Sequence, residues 1–243
     1  MHTFSACPHD VAQDPEKWNA FAEYLGQTEA LKSRFEKYLS FDEFAAHFSD
    51  FDLAYAHPLH AVHLSRVMHF IPLTKYNNVF DEAIVISSKS NRAPSLKDMT
   101  NREVACIHGT PSHAATLIDF SRKHPDINFR PLKKANYPDV LMAVAQSEAP
   151  YGLILKSVWD MMVAMKDRVV PIYATSTKEL VHVFMLSPAL SESAPAIKKA
   201  MIEMKDRDSG RAVLDRLKCD SLVDFTSDDL DRLADSLKIC NFQ

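Results

Sequence analysis

The sequence predicts an α/β chain folded as two lobes, each a mixed, mostly parallel sheet flanked by helices. Three observations point there. Short β-branched runs alternate with amphipathic helical stretches over most of the 243 residues, the pattern of strand–helix crossovers onto parallel sheets. Strand candidates at 80–88 and 170–187 bracket a middle set of elements. The chain from Pro188 onward reads as wholly helical. Two strand-like crossings then join a discontinuous first lobe, 1–84 plus 180–243, to a second lobe, 85–179, and serve as its hinge.

Taken in order, residues 2–6 suit a short strand. Asp14 and Pro15 suit the start of a helix whose apolar positions Trp18, Phe21, Ala22 and Leu25 fall at i, i+3, i+4 and i+7. Residues 30–39 fit a strand or a helix. Ser40 and Glu43 have capping-box spacing ahead of Phe41, Phe44, Ala45 and Phe48. FDLAYAHPLHAVHL, Phe51–Leu64, reads as a strand running into a helix at His57-Pro58. HFIPLTKY and EAIVISSK are strands, SLKDM a single helical turn, and EVACIHG another strand. Thr110 and Pro111 suit the first positions of the next helix, with Leu117, Ile118 and Phe120 inward. INFRPLKKA, YGLILKS, VVPIYATS and LVHVFMLS are strands. Helices start at Pro138, fill VWDMMVAMKD and occupy the end of the chain.

Composition narrows the function classes. A formal net charge of −4 offers no basic face for nucleic acid. No apolar run nears the ~18 residues of a membrane span. MHTFSACPHD lacks the basic start and apolar centre of an export leader, so a cytoplasmic location is expected, or a periplasmic one if a leader has been removed. The four cysteines form no CxxC pair and are expected as reduced thiols. Four glycines, at 26, 109, 152 and 210, exclude a dinucleotide loop, a Walker A loop and a GxSxG elbow.

In such folds the loops at the carboxyl ends of parallel strands share one rim. The first such loop holds Cys7 and His9. The second holds Tyr55, His57, Pro58 and His60. The third holds Gly109, Thr110, Ser112 and His113, with His108 before them. A glycine, two hydroxyls and a helix N-terminus suit a tetrahedral oxyanion, while plain N-capping explains Thr110 and Pro111 with no ligand at all.

ACPHD with DPEKWNAFAEYL, FDLAYAHPLHAV, and EAIVISSKS–SLKDMTNREVACIHGTPSHA, in that order, resemble the phosphate/phosphite/phosphonate solute-binding proteins of ABC uptake systems. The resemblance spans nearly all of the chain. It implies a type II periplasmic-binding fold and a non-catalytic protein that binds a small anion between its lobes, for sensing or delivery, with a permease or regulator as partner. It implies anion contacts from Tyr55, Thr110 and Ser112. Where the family carries a Ser-Thr-Ser run, this chain has Pro111 and His113. Lys156-Ser157 stands where an acidic residue meets amine-bearing phosphonates, which argues against an aminoalkylphosphonate.

The Cys and His residues of the same loops suggest an alternative occupant, a metal ion or heme, and with it a metal- or heme-responsive sensor. The Cys7-Pro8 pair resembles heme-regulatory motifs, and His60 and His63 lie one helical turn apart. An enzyme on the same fold, similar to thiamine-pyrimidine synthases, is the third reading; the cysteine-rich run of those enzymes is absent. No membrane insertion and a monomer are expected.

Overall fold

In the computed structural model, which describes all residues except 12–13, 92, 163–166 and 241–243, the chain divides into two units. The first comprises Met1–Val79 and Val181–Ala234; the second comprises Phe80–Leu180 and the residues from Asp235. Relative to the expected 1–84/85–179/180–243 division, residues 80–84, 180 and the C-terminal residues from 235 group with the second unit. The crossing segments are a correction. Residues 77–82 and 175–182 carry no strand, and the Asp81 N–H donates to the Leu180 carbonyl at 2.8 Å. Each crossing runs between a strand of one unit and a strand of the other, Tyr76 to Ala83 and Ala174 to Val183.

The first unit is built on strands β1 (His2–Ala6), β2 (Ser33–Glu36), β3 (Leu53–Ala56), β4 (Ile71–Tyr76), β10 (Val183–Leu186) and β11 (Leu222–Asp224), in the order β11-β4-β10-β3-β1-β2. β1 runs parallel to β2 and β3, while β10 pairs antiparallel with both β3 and β4. It also holds helices α1 (Pro8–Val11), α2 (Glu16–Gln27), α3 (Phe41–Ala46), α4 (Pro58–Met68), α8 (Ala194–Ile202), α9 (Asp208–Leu217) and α10 (Ser227–Leu237) as far as Ala234. The apolar stripe of α2 is buried as its spacing predicts. Trp18 meets Phe4 at 5.7 Å between ring centroids, and Phe21 stacks on Phe184 at 5.0 Å. The helix starts at Glu16, whose N–H is accepted by Asp14 Oδ1 at 3.1 Å.

The expectation of a wholly helical end fails at β11. Three residues carry no detectable period, and Leu222 is placed by pairing with Tyr76 at the edge of β4. The ambiguous 30–39 stretch contains strand β2. Ser40 accepts from the Glu43 N–H as its spacing predicts, whereas the Glu43 carboxylate takes the Leu39 N–H rather than that of Ser40.

The second unit holds β5 (Ala83–Ser88), β6 (Arg102–Cys106), β7 (Phe129–Lys133), β8 (Tyr151–Leu155) and β9 (Val169–Ala174), in the order β7-β6-β8-β5-β9. β6 is parallel to β7 and β8, and β5 is antiparallel to β8 and β9. Helices α5 (Pro111–Lys123), α6 (Tyr137–Ala145) and α7 (Lys156–Met161) join them. α6 begins at Tyr137, capped by Asn136, rather than at Pro138. Lys156-Ser157 open α7 instead of extending β8, and part of the helix expected over VWDMMVAMKD lies outside the described residues. One cluster of its core is Val85, Met99, Val104, Cys106, Phe120, Tyr151 and Leu153.

At Gly152 α6 packs directly against this sheet. A Cβ there would stand 2.8 Å from Val144 Cγ2 and 2.9 Å from Val140 Cγ1, methyls fixed by their branched side chains. Gly152→Ala is therefore expected to destabilise the protein by about 1–3 kcal/mol, measured as a fall in urea midpoint with unchanged slope.

Candidate functional site

Two residue groups carry the candidate chemistry, one in each unit. In the first unit the carboxyl ends of β1 and β3 lie side by side, and the Cys7 N–H donates to the Tyr55 carbonyl at 2.9 Å. Pro8 then opens a single helical turn that folds His9 back over Cys7, with Cys7 Sγ 3.1 Å from His9 Nδ1. The other nitrogen of His9, Nε2, is 3.2 Å from Asp10 Oδ2. His182, the residue before β10, brings its ring to 4.8 Å from that of His9 and its Nε2 to 3.6 Å from the same Asp10 oxygen. Burial pushes the Asp10 carboxyl upward, but the adjoining His9, His182 and Lys17 outweigh it and hold it below its usual range.

Tyr55 is buried in an aromatic stack, with Phe184 at 4.6 Å, Trp18 at 4.9 Å, Tyr76 at 5.0 Å and His182 at 5.1 Å. His57 is buried at the N-cap of α4, with Pro58 in the first turn, and its Nδ1 faces the His60 N–H at 3.5 Å. The two rings are 3.7 Å apart, and His60 packs against Phe44 and Phe48. Burial, then the neighbouring His60, pushes the His57 imidazolium well below 6.5. Burial, then His63, pushes that of His60 to about 3. Both rings are neutral near pH 7.

In the second unit, β6 ends at Cys106, and Gly109 makes the turn into α5 with φ +70°. Thr110 stands at the N-cap, but its hydroxyl does not accept a helix N–H. It donates to the Ile107 carbonyl at 2.7 Å. Thr110 Oγ1 is 3.2 Å from Ser112 Oγ, which is 3.3 Å from the Tyr137 hydroxyl. Thr110, Ser112 and Tyr137 are all buried, so the hydroxyls form a relay that starts on a protein carbonyl. His113 is buried against Phe129 and near His108. Burial, then the His108 charge, pushes its pKa to about 4. Cys106 lies in the core, its thiol pushed up to about 12 by burial, as a small apolar residue would lie.

The fold and the order of these loops have relatives. The sequence signature of the family described as "ABC transporter, phosphonate, periplasmic substrate-binding protein" matches residues 4–230. The chain belongs to this family. Among solved structures, PhnD1 from Prochlorococcus marinus (MIT 9301), in complex with methylphosphonate, is similar with a TM-score of 0.80 and 13% identity, over 100% of this chain and 98% of that one. The binding-protein component of an ABC phosphonate transporter from Pseudomonas aeruginosa gives a TM-score of 0.76 and 12% identity, over 97% and 84% of the two chains. The periplasmic aliphatic sulphonate binding protein SsuA from Escherichia coli gives 0.68 and 10%, over 98% and 78%. At these identities the likeness is one of fold, type II periplasmic-binding-protein-like. No curated protein matches the chain.

Within this phosphonate-binding family member, the first unit gathers Cys7, His9, Tyr55 and His182, with His57 and His60 beside them. The second gathers Thr110, Ser112 and His113 after Gly109. Sequence reasoning missed His182, Asp10 and Tyr137. The signal for His182 was a lone polar residue in the apolar run LVHVFMLS; nothing local marks Tyr137, whose hydroxyl reaches Ser112 across 25 positions. No described helix is long and apolar enough to cross a membrane.

His113 sets a pH dependence. The folded protein refuses its proton until about pH 4, whereas the unfolded chain takes it up below its ordinary 6.5. The unfolded state then binds more protons between those values, so acidification favours unfolding. Thermal melts from pH 7 to 4 should fall less steeply for His113→Gln than for the parent, by a difference on the order of 3 kcal/mol across the window. Parallel curves would remove His113 from the account.

Proposed function

We propose that this protein is a non-catalytic solute-binding protein that takes up a small oxyanion of the phosphonate or phosphate class and presents it to an ABC permease or a regulatory partner. The observation that carries this reading is the Gly109–His113 turn into α5. A glycine with φ +70°, two hydroxyls and the first N–H groups of a 13-residue helix converge in a chain matched over residues 4–230 by the phosphonate-binding family. Helix N-termini attract anions through free N–H groups and the aligned peptide dipoles. The neighbouring imidazoles, kept neutral by burial, donate hydrogen bonds to an oxyanion without needing its charge balanced.

The relay Tyr137–Ser112–Thr110 gives Ser112 a specific role. Thr110 spends its proton on the Ile107 carbonyl, so Ser112 is the hydroxyl in the turn whose proton can be redirected from Thr110 to an anion, while the Tyr137 hydroxyl keeps donating to the Ser112 oxygen. Lys156 is exposed and paired with Asp160 at 2.9 Å. That position therefore offers no carboxylate for a ligand amine, which favours an unsubstituted head such as phosphate, phosphite or methylphosphonate over an aminoalkylphosphonate.

Calorimetric titration and thermal shift against methylphosphonate, phosphate, phosphite, sulfate and an aliphatic sulfonate test the assignment. A phosphorus oxyanion at ~100 times its dissociation constant should add ~2.7 kcal/mol of stability. Ser112→Ala should weaken binding about 10- to 100-fold, the cost of one hydrogen bond to a charged group. Thr110→Val should perturb the turn as well as the ligand. Indifference of the melting temperature to every oxyanion would exclude the reading.

A further inference from the structure

The first unit contains a donor set that an anion site of this kind does not require. We infer that Cys7, His9 and His182 form a binding site for a zinc-class divalent transition ion. Their donor atoms all lie within 4.8 Å of one another. Tetrahedral zinc, with Zn–S ≈ 2.3 Å and Zn–N ≈ 2.0–2.1 Å, needs S···N near ~3.6 Å and N···N near ~3.3 Å. Cys7 Sγ and His9 Nδ1 stand 3.1 Å apart, so this pair opens by about half an ångström to admit the ion, and the wider separations, bounded at 4.8 Å, close toward the same values.

The surroundings are built for this geometry. Cys7 is fully buried, and the side chains of His9 and His182 are 6% and 5% exposed. The Cys7 backbone is tied to Tyr55 of β3, and Val183, the residue after His182, pairs with Ala56 of the same strand. Phe41 stacks on the His9 ring at 5.9 Å and Tyr55 on the His182 ring at 5.1 Å, fixing both rotamers. Asp10 Oδ2 sits on His9 Nε2, the nitrogen turned away from the thiol. That is the carboxylate–imidazole–metal arrangement that selects the tautomer and strengthens the ligand. Thiolate with imidazole favours zinc over magnesium or calcium, which take oxygen donors.

Binding displaces the Cys7 thiol proton to solvent, leaving a thiolate on the ion and water in the fourth position. Asp10, with a side chain 21% exposed, is more open than the His9 and His182 side chains beside it. This site stands apart from the oxyanion proposal: it uses no residue of the Gly109–His113 turn, and either survives the failure of the other.

Tag-free protein stripped with chelator and titrated with Zn²⁺ or Co²⁺ tests it. The expected result is one zinc retained per chain after dialysis, and a Co²⁺ complex with intense tetrahedral bands and a near-ultraviolet thiolate-to-cobalt transition. Cys7→Ser should abolish the thiolate transition while Cys106→Ser leaves it intact. His182→Gln should keep the transition and weaken affinity at least tenfold. Absence of stoichiometric zinc in the parent protein, a cobalt spectrum without the thiolate transition, or its loss in Cys106→Ser but not Cys7→Ser would overturn the site. The measurements on the parent protein decide the matter even if a variant fails to fold.

Discussion

Strand Val183–Leu186 enters the first sheet only after the chain has built almost all of the second unit, and until it arrives β3 and β4 have no partner between them. All four of its residues are fully buried, as a central strand covered on both faces must be. Its insertion completes the antiparallel ladders to Ala56 and Lys75, seats Phe184 against Phe21 and Tyr55, and delivers His182 to Cys7 and His9. The core of the unit and its histidine cluster thus depend on one return of the chain. A long loop closure of this kind costs little more than a shorter one, so the topology is thermodynamically accessible, though slow to find.

The two candidate sites show different uses of burial. In the second unit it forces the hydroxyls of Thr110, Ser112 and Tyr137 to bond one another and the Ile107 carbonyl, because an unpaired buried hydroxyl is costly. In the first unit it keeps His57 and His60 uncharged near neutrality, and neutral imidazole is the form that keeps a nitrogen lone pair to accept a hydrogen bond or ligate a metal. Asp10 is the exception, held ionised by the imidazoles and Lys17 around it. A single carboxylate among several histidines fixes ring orientation at low electrostatic cost.

Identities of 10–13% with TM-scores of 0.68–0.80 show how the fold persists while its contents change. Sheet order and helix placement need apolar residues at the right period and volume, which many sequences supply. A ligand site needs particular donors at particular places. Pro111 and His113 in the Gly109–His113 turn, and the Cys7–His9–His182 group, are therefore the positions from which the chemistry of this member is to be read.

Much of the fold was legible because its signals are local. The spacing of Trp18, Phe21 and Leu25 specified α2, a β-branched run specified β5 and a short apolar run β8, and a glycine followed by Thr-Pro specified the turn into α5. The failures also have local causes. Three-residue β11 is too short to show a period, and the crossings at 77–82 and 175–182 carry only the apolar pairs Val79-Phe80 and Leu180-Val181 among polar residues and form no strand. The hydroxyl of Thr110 pointed to a cap by residue type, but a nearer carbonyl claimed it. The loops that hold Cys7, His9, Tyr55, His57, Thr110, Ser112 and His113 could be named from sequence, since each follows a strand and opens a helix. Only the tertiary structure supplied Tyr137 and His182 as their neighbours. Side chains separated by tens or hundreds of residues meet through sheet order, and sheet order is set by packing and pairing across the whole unit rather than by any stretch of chain.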